Sequence, residues 1–125
     1  MNRNRRIIGL AILCLLAALA CRADPAVLLV KMDRPGYTPS MEPAITRQDT
    51  LLAVQASAVQ VGDIVVYRHP SGRTVCHRVI AIHGDSFLPA GDANRHNDGW
   101  QPLAAIHYRV VSILHHEPEN PQLHR

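Results

Sequence analysis

The stretch Asp63-Ile64-Val65-Val66-Tyr67-Arg68-His69 (DIVVYRH), then Pro70-Ser71-Gly72, then Arg73–Ile82 (RTVCHRVIAI), decides how this chain folds. Both runs are rich in β-branched residues, which suit a pleated surface. The Pro-Ser-Gly between them suits a hairpin turn, because proline presets φ and glycine accepts positive φ. Alternation along the second run sends Val75, His77 and Val79 to one face, and Cys76, Arg78 and Ile80 to the other. Outward from this pair, Thr50–Val54 and Ile106–Leu114 (IHYRVVSIL) read as further strands, and Ala26–Val30 is a short apolar stretch. Arg34–Pro43 holds three prolines and a glycine and reads as a loop or tight turn. The pairs Gly62-Asp63, Gly84-Asp85 and Gly91-Asp92 each fit a turn in which glycine supplies positive φ. Nothing past the N-terminus has a helical period. The chain is therefore expected to be mainly β: a small antiparallel β domain over residues 25–125, ending in a frayed tail from His115.

Residues 1–24 are of another kind. Arg3, Arg5 and Arg6 precede an uncharged apolar run of 15 residues, Ile7–Cys21. A basic start followed by a short apolar stretch is what export machinery recognises, and the run is expected to be helical. It is shorter than the roughly 20 residues that cross a bilayer as a helix. Three fates follow: retention as a membrane anchor, which is preferred; cleavage after Ala20 in the small-x-small site Ala18-Leu19-Ala20; or lipidation at Cys21. Each places the remaining chain on the extracytoplasmic side. Without the three arginines, the 13 Lys+Arg fall to ten against ten Asp+Glu. A near-neutral domain with no basic stripe speaks against nucleic-acid binding. Three cysteines make no disulfide framework, although a Cys21–Cys76 bridge is open. There is no P-loop, dinucleotide fingerprint, G-x-S-x-G elbow or H-E-x-x-H, and no cofactor is expected.

Several residues carry chemistry. Ser40 lies in Thr38-Pro39-Ser40-Met41-Glu42-Pro43, where prolines on both sides restrict the backbone and hold the hydroxyl in place. Taken alone, it reads more simply as a serine capping a turn or a short helix at 42–46. A nucleophilic serine needs a base. The only lysine, Lys31, is nine residues upstream near the apolar run. His77, flanked by valines inside the strongest strand, is the better placed of eight histidines, though by itself it reads as a buried core histidine. Cys76 and His77 are adjacent on a strand and point to opposite faces, so they do not pair with each other. The polar stretch Gly91–Gly99 offers Asp92 and Asp98 as acids to orient the imidazole. It also reads as an ordinary turn, or as a metal loop using Asp92, Asn94, His96 and Asp98, although its spacing is not that of an EF-hand.

Together these blocks resemble type I signal peptidases, specifically the Ser–His branch of the endoplasmic reticulum, archaea and some bacteria. Ser40-Met41-Glu42-Pro43 is similar to the nucleophile motif S-M-x-P, and Gly62–Tyr67 to the strand that follows. His77-Arg78-Val79-Ile80 is similar to the block with H-R-V where the common bacterial branch has a lysine, and Gly91-Asp92-Ala93-Asn94 to an acidic G-D-x-N block. The resemblance implies Ser40 as nucleophile, His77 as general base, Asp98 as its orienting acid and Asp92 as a second carboxylate able to take that role. It implies that the Ser40 main-chain N–H helps bind the oxyanion, and that Met41 and Pro43 contact the bound peptide. The implied substrate is an exported precursor lying as an extended strand, with small residues one and three places before the cut. Departures are Thr38 where the family usually has glycine, Pro39 where it often has serine or asparagine, Gln48 before Asp49, and no glycine in His107-Tyr108-Arg109. They leave the triad intact and point to a dedicated processing enzyme. Two other readings remain: a maturation peptidase for a pilus or secretion system, and a non-catalytic exported β domain that binds a peptide or a metal.

Overall fold

The computed structural model describes residues 25–116. The expected N-terminal helix and its three fates, the partner cysteine of Cys76, and the tail beyond His116 lie outside the described residues. Among those described, no helix is long and apolar enough to cross a membrane.

Seven strands form one antiparallel sheet: β1 (Val27–Lys31), β2 (Thr50–Gln55), β3 (Ile64–Arg68), β4 (Thr74–His83), β5 (Ser86–Ala90), β6 (Gln101–Pro102) and β7 (Ile106–Leu114). Their spatial order is β1-β2-β7-β3-β4-β5-β6. The mainly β antiparallel expectation is met; the four strands read from the sequence appear as β2, β3, β4 and β7, and the short apolar stretch Ala26–Val30 becomes β1. The Pro70-Ser71-Gly72 turn closes the β3–β4 hairpin, with Gly72 at φ 86° and its N–H donating to the His69 carbonyl at 2.8 Å.

The sheet curls because its ladders slip. Register shifts fall between Leu52 and Ala53 on β2, between Val66 and Tyr67 on β3, and between Val79 and Ala81 on β4. Each adds local twist. The β4 shift explains a strand that the sequence did not reveal. Pro89 sits inside β5, and proline reads as a strand breaker. It pairs with Val79 beside the bulge, where Ile80 is the extra residue, so its missing N–H falls where the ladder is already irregular.

β3 is the central partition. Ile64 packs with Met41, Ile45 and Leu51 on one face, and Val65 and Tyr67 pack with Val79 and Phe87 on the other. A strand buried on both faces reads as an unbroken apolar run, which is why DIVVY does not alternate. Phe87 is fully buried and meets the Tyr67 ring edge to face, at 5.3 Å between centroids and 88°. Phe87→Ala should therefore cost about 3–5 kcal/mol of stability, read as a lower urea midpoint at unchanged m-value. A loss below about 1 kcal/mol would mean that this cluster does not hold the sheet together.

Candidate active site

The site forms where β4 loses a partner. β5 pairs with β4 only from Arg78, opposite Ala90, to His83. The chain then leaves the sheet as the loop 91–100, and the edge of β4 from Thr74 to His77 borders a cleft of about 740 Å³. The other wall is the loop Met32–Met41, which ends in a single 3₁₀ turn, Pro39–Met41. Proline at the first position of that turn costs no hydrogen bond, because that N–H has no helical partner anyway. No helix follows at 42–46; those residues make turns.

The two loops meet backbone to backbone. The Ala93 N–H donates to the Ser40 carbonyl at 2.8 Å, and the Asn94 N–H donates to the Gly91 carbonyl at 2.9 Å. Gly91 is required here for space. A Cβ on it would lie 2.7 Å from the Ser40 carbonyl oxygen and 2.6 Å from Asn94 Nδ2. This corrects the expectation that each Gly-Asp pair uses positive φ: Gly62 (φ 98°) and Gly84 (φ 56°) do, and Gly91 does not.

This contact brings Ser40 to His77. His77 is buried, 8% exposed, on the same face of β4 as Val79. Its Nε2 is 3.1 Å from Ser40 Oγ and its Nδ1 is 2.5 Å from Asp98 Oδ2. With Nδ1–H donated to the carboxylate, Nε2 is the free acceptor and the Ser40 hydroxyl donates to it. The Thr38 hydroxyl donates to Ser40 Oγ at 3.1 Å, and the Tyr67 hydroxyl donates to Asp98 Oδ2 at 2.6 Å. Neither contact was read from the sequence. Thr38 was visible only as a departure from glycine, and Tyr67 only as part of an apolar strand.

The two candidate carboxylates separate. Asp98 is on His77, whereas Asp92 takes both Nε and an Nη of Arg78 at 2.8 Å each. Arg78 also donates to the Gly62 carbonyl at 2.8 Å, so it ties the loop to the turn before β3. The Arg78 guanidinium holds the Asp92 carboxyl below its ordinary value, against an opposing push from burial. Asp49 behaves alike: burial pushes its carboxyl up, but the Thr46 N–H (2.7 Å) and His115 (3.0 Å) outweigh that and hold it low.

The other candidates fall elsewhere. Met41 lines the cleft but is buried, 4% exposed, with its Sδ accepting the Asp92 N–H at 3.5 Å. Pro43 is exposed and is not part of the cleft wall. Lys31 is exposed on β1 and is not part of the cleft wall. Cys76 faces the cluster containing Met41, and burial pushes its thiol up to about 11, partly offset by Arg34. A thiol in that state is a poor nucleophile at neutral pH. Among the described residues, no three His, Cys, Asp or Glu side chains group to hold a metal ion.

A hydroxyl, an imidazole and a carboxylate in this hydrogen-bonded order form the constellation of serine hydrolases. The curled antiparallel sheet places it beside an open strand edge, where an extended chain fits. The chain belongs to the signal peptidase family, peptidase S26, whose model matches residues 5–93. The match includes Ser40, His77 and Asp92 and ends before Asp98. No curated protein matches this sequence.

Two outcomes are expected from this geometry. Gly91→Ala should push the loops apart, expose the Ala93 amide to faster hydrogen exchange and cost about 1–3 kcal/mol; unchanged exchange would mean that the loops tolerate the Cβ. Asp92 and Asp49 are held below their unfolded values, near 4, so their contribution is complete above that pH and is lost as pH falls through their folded values. Asp92→Asn should therefore be less stable than the parent at pH 6, and the two denaturation midpoints should converge on acidification to pH 2. A constant gap would mean that the charge on Asp92 contributes nothing.

Proposed function

We propose that this protein is a serine endopeptidase that removes signal peptides or similar leader segments from exported precursors. Ser40 is the nucleophile, His77 the general base and Asp98 the acid that orients it. The observation that carries this reading is the 3.1 Å separation of Ser40 Oγ and His77 Nε2, with Asp98 behind the ring. Family membership supports a peptidase acting on exported precursors.

In the first step, Ser40 Oγ attacks the scissile carbonyl and His77 Nε2 takes the hydroxyl proton. The Ser40 N–H, second in its 3₁₀ turn, is left without a helical acceptor and is available to the oxyanion. The intermediate collapses as His77 returns the proton to the leaving amine, and the acyl group stays on Ser40. Water, deprotonated by His77, then releases the acid and restores the hydroxyl. The precursor lies extended along the open edge of β4, Thr74–His77, where main-chain hydrogen bonds hold it whatever its sequence. The run Ile7–Cys21 supports an N-terminal anchor that keeps the domain at the membrane on the extracytoplasmic side.

The test is cleavage of a panel of exported precursors in detergent by the parent, Ser40→Ala and His77→Ala proteins. Each substitution should reduce cleavage by about 10³-fold or more. Cleavage that survives Ser40→Ala would refute the assignment of the nucleophile.

A further inference from the structure

The orienting acid has a partner that the mechanism above leaves unused. β3 and β4 pair with Val65 opposite His77 and Tyr67 opposite Val75. Tyr67 is therefore two residues along from the position facing His77, on the same face, at the diagonal that an aromatic side chain can reach across. Its hydroxyl ends 2.6 Å from Asp98 Oδ2, the oxygen that also takes His77 Nδ1–H. One carboxylate oxygen thus receives two donors.

The two ends of this contact differ in how firmly they are held. Tyr67 is fully buried, and its ring is fixed by Val65, Val79 and the edge-to-face contact with Phe87. Asp98 lies in a loop. Its backbone is tied by its N–H to the Pro89 carbonyl at 2.8 Å and by Gln101 Nε2, which reaches the Asp98 and Gly99 carbonyls at 3.4 Å. Those bonds set the main chain and leave the carboxylate free to rotate. His77 holds its Oδ2 from one side, and the phenol, anchored in the core, is the second donor that limits its rotation. Burial, then the hydrogen bond to Asp98 and its negative charge, push the Tyr67 hydroxyl well above the ordinary tyrosine range, so it remains a donor wherever the enzyme works.

We propose that Tyr67 is a positioning residue for catalysis: its hydroxyl fixes Asp98 Oδ2 where it accepts His77 Nδ1–H, and so keeps Nε2 free for Ser40. The inference rests on the triad reading above. A phenol in the core sets the carboxylate, the carboxylate sets the imidazole tautomer, and the imidazole meets the nucleophile. Removing the hydroxyl leaves the ring packing on Phe87 intact and frees only the carboxylate.

The experiment compares the parent with Tyr67→Phe by precursor cleavage, thermal unfolding and proton NMR of the His77 Nδ1–H. The expected result is kcat lowered about 10-fold, the scale of one lost hydrogen bond to a charged group, with KM unchanged and the Nδ1–H resonance moved and broadened. An unchanged kcat with the parent resonance would overturn the proposal. So would a loss of activity that only tracks the unfolded fraction while the resonance stays sharp. If Tyr67→Phe does not fold, 3-fluorotyrosine placed at 67 keeps the shape and strengthens the donor. It should displace the resonance with the core intact, and an unmoved resonance would refute the role. The resonance needs no substrate, so a parent that cuts no precursor would sink the peptidase reading and still leave the hydrogen bond decided.

Discussion

The Ala93 N–H donates to the Ser40 carbonyl at 2.8 Å, and this one backbone contact joins two loops that the sequence separates by fifty residues. Without it, Ser40 would sit on a turn beside the sheet and His77 would be a buried histidine in a strand. The contact is possible because Gly91 has no Cβ, and it lies where it does because β5 stops at Ala90, opposite Arg78. A longer β5 would have paired with His77 and Cys76 and closed the edge. The open edge and the meeting of Ser40 with His77 are thus two results of one strand ending.

The site also sits where two apolar clusters meet. Met41, next to Ser40, is rooted in the cluster with Ile45, Leu51 and Ile64. Tyr67, behind Asp98, belongs to the cluster with Val65, Val79 and Phe87. These lie on opposite faces of β3, so the hydroxyl and the carboxylate are positioned by different parts of the core. Such packing is dense and resists small displacements, which gives a domain this small a firm frame for its loops.

Reading the sequence succeeded where local chemistry was enough. Strands rich in Val and Ile, the Pro-Ser-Gly turn, and His77 sharing a face with Val79 needed no tertiary information. It missed β5 because Pro89 has the local signature of a breaker, and only the bulge on the neighbouring strand makes it acceptable. It left Asp92 and Asp98 open, because two acids six residues apart in an irregular loop carry no directional signal. Tyr67 could not be singled out, since its partner depends on the β3–β4 register and on where the 91–100 loop returns. Pro43 was grouped with Met41 by motif, yet it is exposed and Met41 is buried, because consecutive turn residues need not share a surface.

The two carboxylates do different jobs because each meets a different cation or donor. Asp92 is matched by the Arg78 guanidinium in a bidentate pair, a geometry that fixes both oxygens and leaves little for a third group. Among the described residues, Asp98 has no arginine as a side-chain partner; it has an imidazole and a phenol. In the proposed mechanism, a guanidinium on Asp98 would offset the charge that stabilises the imidazolium forming during attack. Arg78 and His77 are adjacent on β4, so alternation sends them to opposite faces and delivers each to its own acid. The His-Arg pair of β4 and the Asp92–Asp98 loop are therefore one device: the first pairing anchors the loop, and that anchoring leaves the second carboxylate available to His77.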